Sequence, residues 1–192
     1  MIERASLLSL EAYARERASF RAKVIEHKKR RTVALGEHVT LQFEDELLVR
    51  YQIQEMLRIE RIFEEDGIRH ELETYGPLVP DGSNWKATMF VEFPDEAERR
   101  RMLERLKGIE RRVWMQIAGG GRIAAIADED LERETDEKTA AVHFLRFEVD
   151  AAAASRLKRG ASLAIGVDHP QYRALLDPVP QAIRAALAQD LA

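Results

Sequence analysis

Two long stretches of the chain carry charged side chains where an amphipathic helix would bury them. At about 100° per residue, residues 9–30 place their apolar side chains on one stripe, and Arg17 and Arg21 fall inside it. Residues 45–64 form a second such stripe, and Glu60 falls in its middle. These residue types are suited to ion pairing and to binding an anion.

A buried carboxylate costs several kcal/mol unless it is paired, and arginine pairs with it through two parallel hydrogen bonds. We therefore predict that the two helices pack together, with Arg17 and Arg21 bonded to Glu60 and also to Glu55. Two interpretations stay open: a structural network that fixes the helix register, or a pocket whose arginines clamp a phosphate or carboxylate ligand. The candidate ligand-binding residues are Arg17, Arg21, Gln52, Glu55, Arg58 and Glu60.

A third interpretation is a carboxylate-bridged metal at Glu55, Glu60, Glu64 and His70. Glu60 and Glu64 are one helical turn apart, but neither helix carries the Glu-x-x-His pair of di-iron bundles. The five histidines also include no pair at helical i, i+4 spacing. We therefore predict no metal site and no cofactor, and the cluster of these four residues stays an open question.

The segment 76–85 is predicted to be an ordered loop. It holds two prolines, two glycines and an Asp-Gly pair, ends at Trp85 and directly follows Tyr75. Ordered loops with aromatic residues either bind a partner or cover the core, and both interpretations stay open. The candidate surface residues are Tyr75, Asp81, Trp85 and Lys86.

Two histidines are adjacent to predicted strands. His143 alternates with Leu145 and Phe147, so we predict a hydrogen-bonded core histidine. Asp168 and His169 follow a strand without a positioned nucleophile, and the turn that starts a helix is the interpretation we favour for them. The sequence assigns no catalytic residue, so we favour a binding protein over an enzyme.

The elements that position these residues predict an α+β fold. Two long N-terminal helices pack on a mixed, mostly antiparallel sheet of five or six strands, built from two strand–helix–strand units. The units cover residues 90–117 and 144–167, with Asp95 and Asp150 as helix N-caps. We expect one domain over 1–192, divided into a helical half (about 1–75), the loop (76–85), a strand-rich half (86–170) and a C-terminal helix (181–191).

Composition excludes several classes of function. The chain has 192 residues, a formal net charge of −4 and 45% hydrophobic residues, so it can form a core but has no basic field for nucleic acid. With no cysteine it has no disulfide, thiol nucleophile or protein-ligated iron–sulfur cluster. No apolar run approaches the roughly 20 residues of a membrane span, and the N-terminus lacks a signal-peptide pattern. We expect a cytoplasmic protein that binds neither nucleic acid nor membrane.

Several segments together resemble a bacterial domain-of-unknown-function family, number 3501, over nearly the whole chain. The most specific segment is 51–58. The remaining segments are 10–13 with Arg17, Phe20 and Arg21, 31–36, 43–44, Glu60, 80–82, 87–88, and 168–170 with Tyr172.

The resemblance implies no reaction, because the family has no established activity. It implies a gene neighbourhood of rubrerythrin-like proteins and cysteine-rich iron–sulfur proteins, and hence a supporting role in redox or peroxide defence. The leading hypothesis is an accessory protein that docks onto such a partner. The alternative is an enzyme or sensor that binds a small anion between the two long helices. A homodimer also stays open.

Overall fold

The chain divides into two compact units. The computed structural model describes residues 2–129, 133, 135 and 137–192. The first unit consists of the residues up to 30 and of 44–80, and the second consists of 31–43 and 81–192. The α+β class is confirmed. That the 192 residues form one domain stays a prediction.

The first unit is helical. Its helices are α1 (Leu10–Lys28), α2 (Glu46–Ile59) and α3 (Glu65–Tyr75). Side chains cap the first two of these helices, because Ser9 Oγ accepts from Ala12 N at 3.2 Å and Asp45 Oδ1 accepts from Leu48 N at 3.0 Å. A small core holds the unit together, and its buried members are Ile2, Leu7, Val49, Ile53, Leu57 and Ile68.

α2 ends five residues before the predicted boundary. Arg61 adopts the left-handed conformation, with φ of 53°, and Ile62 N donates to Leu57 O at 2.9 Å. This bond is typical of the Schellman motif, which usually places glycine where Arg61 lies. Glu60 is the C-cap and therefore leaves the helical stripe. Gly67 lies inside α3, although glycine is unfavourable in a helix interior.

The second unit contains the sheets. Within the described residues its strands are β1 (Thr32–Leu35), β2 (Val39–Phe43), β3 (Asn84–Val91), β4 (Val113–Ile117), β5 (Arg122–Ala124), β6 (Ile126–Ala127), β7 (Val142–Glu148), β8 (Leu163–His169) and β9 (Tyr172–Leu176). Its helices are α4 (Glu96–Arg105), α5 (Ala151–Lys158) and α6 (Gln181–Gln189).

The strands form two antiparallel sheets rather than the predicted single mixed sheet. The first sheet has the order β1-β2-β3-β7-β6 and the second has the order β5-β4-β8-β9. β2 shows why these segments become strands: Val39, Leu41 and Phe43 are buried, whereas the residues between them are partly exposed. Side chains of both sheets share one hydrophobic core.

The helix caps of the second unit also agree with the sequence. Asp95 accepts from Glu98 N and Asp150 accepts from Ala153 N, each at 2.7 Å. The predicted turn after Asp168 is different: instead of starting a helix, it joins β8 to β9. No described helix is long and apolar enough to cross a membrane.

Candidate functional site

Glu55 is the centre of a polar network between α1 and α2. Arg17 Nε and Nη2 donate to its two carboxylate oxygens at 2.7 and 2.9 Å. Tyr13 Oη donates to the same carboxylate at 2.7 Å, and Arg58 Nη2 donates to it at 3.2 Å. The predicted pairing of Arg17 with Glu55 is therefore confirmed.

Hydrogen bonding sets the charge states of this network. The Arg17 guanidinium, helped by Tyr13 and Arg58, lowers the pKa of Glu55 to about 2 against the opposing effect of burial. Burial, followed by the bond to Glu55, raises the pKa of Tyr13. The bond to Glu55 likewise raises the pKa of Arg17. Glu55 is thus a carboxylate at neutral pH and is unsuited to act as a general acid.

The other predicted members of the site are not in the network. Arg21, Gln52 and Glu60 are exposed. The predicted contact of Arg17 and Arg21 with Glu60 is wrong, because the left-handed turn at Arg61 ends α2 before Glu60 can join the buried face. Glu64 and His70 are exposed as well. Across the described residues, no group of three or more His, Asp or Glu side chains is arranged to hold a metal ion.

A cavity of about 390 Å³ adjoins α1, α2 and the N-terminal segment. α1 contributes Glu16, Ser19, Phe20 and Lys23 to its wall. These positions recur at intervals of three and four, so they share one face of the helix. Sequence reasoning missed this face because its side chains are mostly polar and resemble a solvated surface.

α2 and the N-terminal segment complete the cavity. α2 contributes Arg50 and Gln54, and the segment contributes Ser6 and Leu8. Gln54 is 1% exposed, and its Oε1 accepts from Leu8 N at 2.6 Å. This bond holds the N-terminal segment against α2 and so forms one wall of the cavity.

The cavity has a cationic end. The Arg50 guanidinium lies 5.8 Å from the centroid of the Phe20 ring, and Lys23 follows Phe20 by one turn of α1. Phe20 also meets Tyr13 and Tyr51 edge to face, with centroid separations of 6.1 and 5.7 Å. Within the described part of the chain, neither Lys23 nor Arg50 forms an ion pair.

The predicted loop surface is only partly formed. Trp85 is fully buried in β3, where its Nε1 donates to Leu187 O at 2.8 Å, so the prediction that it is a surface residue is wrong. Asp81 is exposed, and hydrogen bonds from Ser83 lower its pKa. Lys86 and Tyr75 are partly buried.

The second unit contains a buried polar cluster around His143. His143 Nδ1 lies 2.5 Å from Asp128 Oδ2, and its Nε2 lies 2.9 Å from Thr139 Oγ1 and 3.0 Å from Ala140 O. Glu110 Oε2 lies 4.0 Å from the same Nε2. The prediction of a hydrogen-bonded core histidine is confirmed, whereas its acidic partners, Asp128 and Glu110, were not predicted.

This cluster has the order of residues found in an acid–histidine–hydroxyl triad. However, His143 is 0% exposed and Thr139 and Glu110 are each 1% exposed. A substrate carbonyl has no access to a hydroxyl buried to this extent. The cluster is therefore a structural network.

Comparison with known proteins places the chain in a family. A family model described as "Protein of unknown function (DUF3501)" matches residues 1–191. The chain belongs to this family. The resemblance drawn from segment 51–58 and the others is thus confirmed.

A solved relative supports the same assignment. The chain is similar to a crystal structure, at 1.90 Å resolution, of a novel protein of unknown function from Burkholderia pseudomallei K96243. The TM-score is 0.95 and the sequence identity is 55%, over 100% of this chain and 99% of that chain. Curated proteins include no match. The solved relative therefore supports the fold described above, and the activity has to be inferred from the site.

Proposed function

We propose that the protein binds a small anionic molecule in the cavity of its helical unit. The observation that carries this proposal is the pair of cations, Lys23 and Arg50, on the wall of a cavity of about 390 Å³. Small-molecule sites have volumes of about 300–1,000 Å³ and combine apolar walls with a few polar groups. Phe20 and Leu8 supply the apolar part here, and the two cations supply the attraction for an anion.

The Glu55 network supports the site without taking part in binding. Its bonds to Tyr13 and Arg17 fix α2 against α1. Glu55 directly follows Gln54 in α2, and Arg17 precedes Phe20 by one turn of α1. Because Arg17 is fully engaged by Glu55, the anion-binding role expected for Arg17 and Arg21 passes to Lys23 and Arg50 in this proposal. Binding without a reaction is the function proposed.

Calorimetric titration with inorganic phosphate and with succinate tests the proposal. We expect one saturable site, and Lys23→Met and Arg50→Met should each weaken it by at least about tenfold. Arg21→Met is the matched control, because it removes an exposed cation from the same helix outside the cavity. Absence of binding by both anions, or an equal loss in Arg21→Met, would contradict the proposal.

A second candidate function is docking onto a redox partner, the role implied by the family resemblance. The supporting observation is a pair of exposed apolar side chains, Phe63 at 71% and Ile59 at 58%. Exposed apolar side chains close in sequence are typical of protein-binding surfaces. In this role the protein would act in the cytoplasm as an accessory factor for an iron–sulfur or rubrerythrin-like protein.

Affinity capture from native lysate tests this second role. We expect the immobilised chain to enrich a rubrerythrin-like or cysteine-rich iron–sulfur protein, and Phe63→Asp to lose that enrichment. Leu175→Asp is a suitable control, because Leu175 is 63% exposed in the other unit. Enrichment of neither class of protein by the unmodified chain would contradict the redox role.

We also propose two features of the fold. One is that the two long N-terminal helices pack on a sheet. The other is that the second half is built from two related strand–helix–strand units.

A further inference from the structure

The cavity wall carries charges of both signs. Glu16 and Lys23 lie on the same face of α1, seven residues apart. At a rise of 1.5 Å per residue, this spacing is about 10 Å, which is too long for the two side chains to form a direct helical ion pair. Among the described residues, neither side chain has an ion pair or a hydrogen bond.

α2 shows that these charges mark two different ends of the cavity. The helices run antiparallel, since Tyr13 bonds to Glu55 near the start of α1, whereas His27 contacts Asp45 at its end. Arg50 contacts Phe20 and therefore lies towards the Lys23 end. Gln54 precedes Glu55 and therefore lies towards Glu16.

The two ends thus offer complementary chemistry to one ligand. The end with Lys23 and Arg50 attracts a carboxylate or phosphate, and Phe20 provides an apolar surface beside it. The other end has the Glu16 carboxylate, which attracts an ammonium group. Ser6 also lines this cavity, and its Oγ, which donates to Glu3 O at 2.7 Å, keeps lone pairs to accept from a ligand.

We infer that the ligand is amphoteric, with an anionic group and an amino group about 10 Å apart, as in a short peptide. This inference rests on the proposed anion site and names its ligand class. An extended tripeptide spans about 10 Å from amine to carboxylate, at 3.3–3.6 Å per residue. A central apolar side chain would then lie near Phe20.

The tripeptide Gly-Phe-Gly is the probe for this inference. Its N-acetylated form lacks the ammonium group, and its C-terminal amide lacks the carboxylate. We expect the free peptide to bind at least about tenfold more tightly than either blocked form in calorimetric titration. The Glu16→Gln variant should bind the acetylated and the free peptide with equal affinity. The change Lys23→Met should reduce the affinity for the amide less than it reduces the affinity for the free peptide.

Glu26→Gln is the matched control, because Glu26 is an exposed acid of α1 outside the cavity and pairs with Lys29. It should keep the preference for the free amine. If the acetylated peptide and succinate bind as tightly as the free peptide, the amphoteric ligand is wrong and the anion site stands. If none of the peptides and neither phosphate nor succinate binds, both proposals fail.

Discussion

Arg17 and Glu55 are joined by two hydrogen bonds of 2.7 and 2.9 Å that run from α1 to α2. The carboxylate is largely shielded, with its side chain 16% exposed, whereas the arginine side chain is 34% exposed. A forked bond of this kind restricts both the spacing and the rotation of the helices. It is one of the polar contacts that position α1 and α2 around the cavity.

Removing one partner of this pair should destabilise the protein. We expect Arg17→Met to lower the free energy of unfolding by about 1–2 kcal/mol, because Glu55 keeps its burial but loses its strongest donor. Chemical denaturation followed by circular dichroism measures this loss. Arg21→Met should change the value by less than about 0.5 kcal/mol, as for other exposed positions. Equal losses in the two variants would show that the pair has no specific role.

The same pair predicts a response to acid. The pKa of Glu55 is lowered from 4.5 to about 2 in the folded protein, so the unfolded chain takes up its proton first as the pH falls. The stabilisation is therefore complete above about pH 5 and disappears as the pH approaches about 2.

Glu55→Gln removes this titration. We expect the difference in unfolding free energy between the unmodified chain and Glu55→Gln to shrink by about 1–2 kcal/mol between pH 7 and pH 3. Urea titrations at several pH values measure it. A difference that stays constant with pH would contradict the lowered pKa.

A second forked pair, Arg31 with Asp190, is more deeply buried. Its two bonds measure 2.5 and 2.7 Å, and the side chains are 5% and 8% exposed. Removing one partner of a buried ion pair lowers the free energy of unfolding by about 3–5 kcal/mol, because the other charge is left uncompensated. We expect Arg31→Met alone to cost that much in thermal or chemical unfolding.

The double variant Arg31→Met with Asp190→Leu should recover part of this loss, because it removes both charges together. A double-mutant cycle measures the coupling. If the two single losses simply add, the pair is not coupled and the prediction fails.

Asp128 should tolerate asparagine better than alanine. Its backbone is left-handed, with φ of 51°, and its carboxylate accepts from Phe144 N at 3.0 Å as well as contacting His143. Asparagine adopts this conformation readily and keeps one acceptor, whereas alanine does neither. We expect Asp128→Ala to be at least about 1 kcal/mol less stable than Asp128→Asn. Equal melting temperatures for the two variants would contradict this expectation.

Local features of the fold were predictable from the sequence. Asp95 and Asp150 each cap a helix where expected, because a cap depends on residues three positions apart. The alternation of Val39, Leu41 and Phe43 with polar residues is typical of a strand, and β2 spans these five residues. Strand partnership was not predictable, because the division into two sheets depends on contacts distant in sequence.

The candidate site was predictable only in part. The pairing of Arg17 with Glu55 followed from the helical wheel. The exclusion of Glu60 from the network was not predictable, because an arginine in the left-handed conformation at Arg61 has no sequence signal comparable to glycine. Trp85 was assigned to the loop because its neighbours are turn residues, although β3 already begins at Asn84. The cavity itself depends on the bond from Leu8 to Gln54, which joins segments 46 residues apart.

The hairpin of β1 and β2 lies between α1 and α2 in the sequence but belongs to the second unit, where β2 pairs with β3. A recombinant fragment that stopped at residue 80 would therefore carry β2 without the strand that completes its hydrogen bonding. Such an exposed edge favours aggregation. To express the helical unit alone, the chain should end at residue 80 and a short flexible linker should also replace residues 31–43.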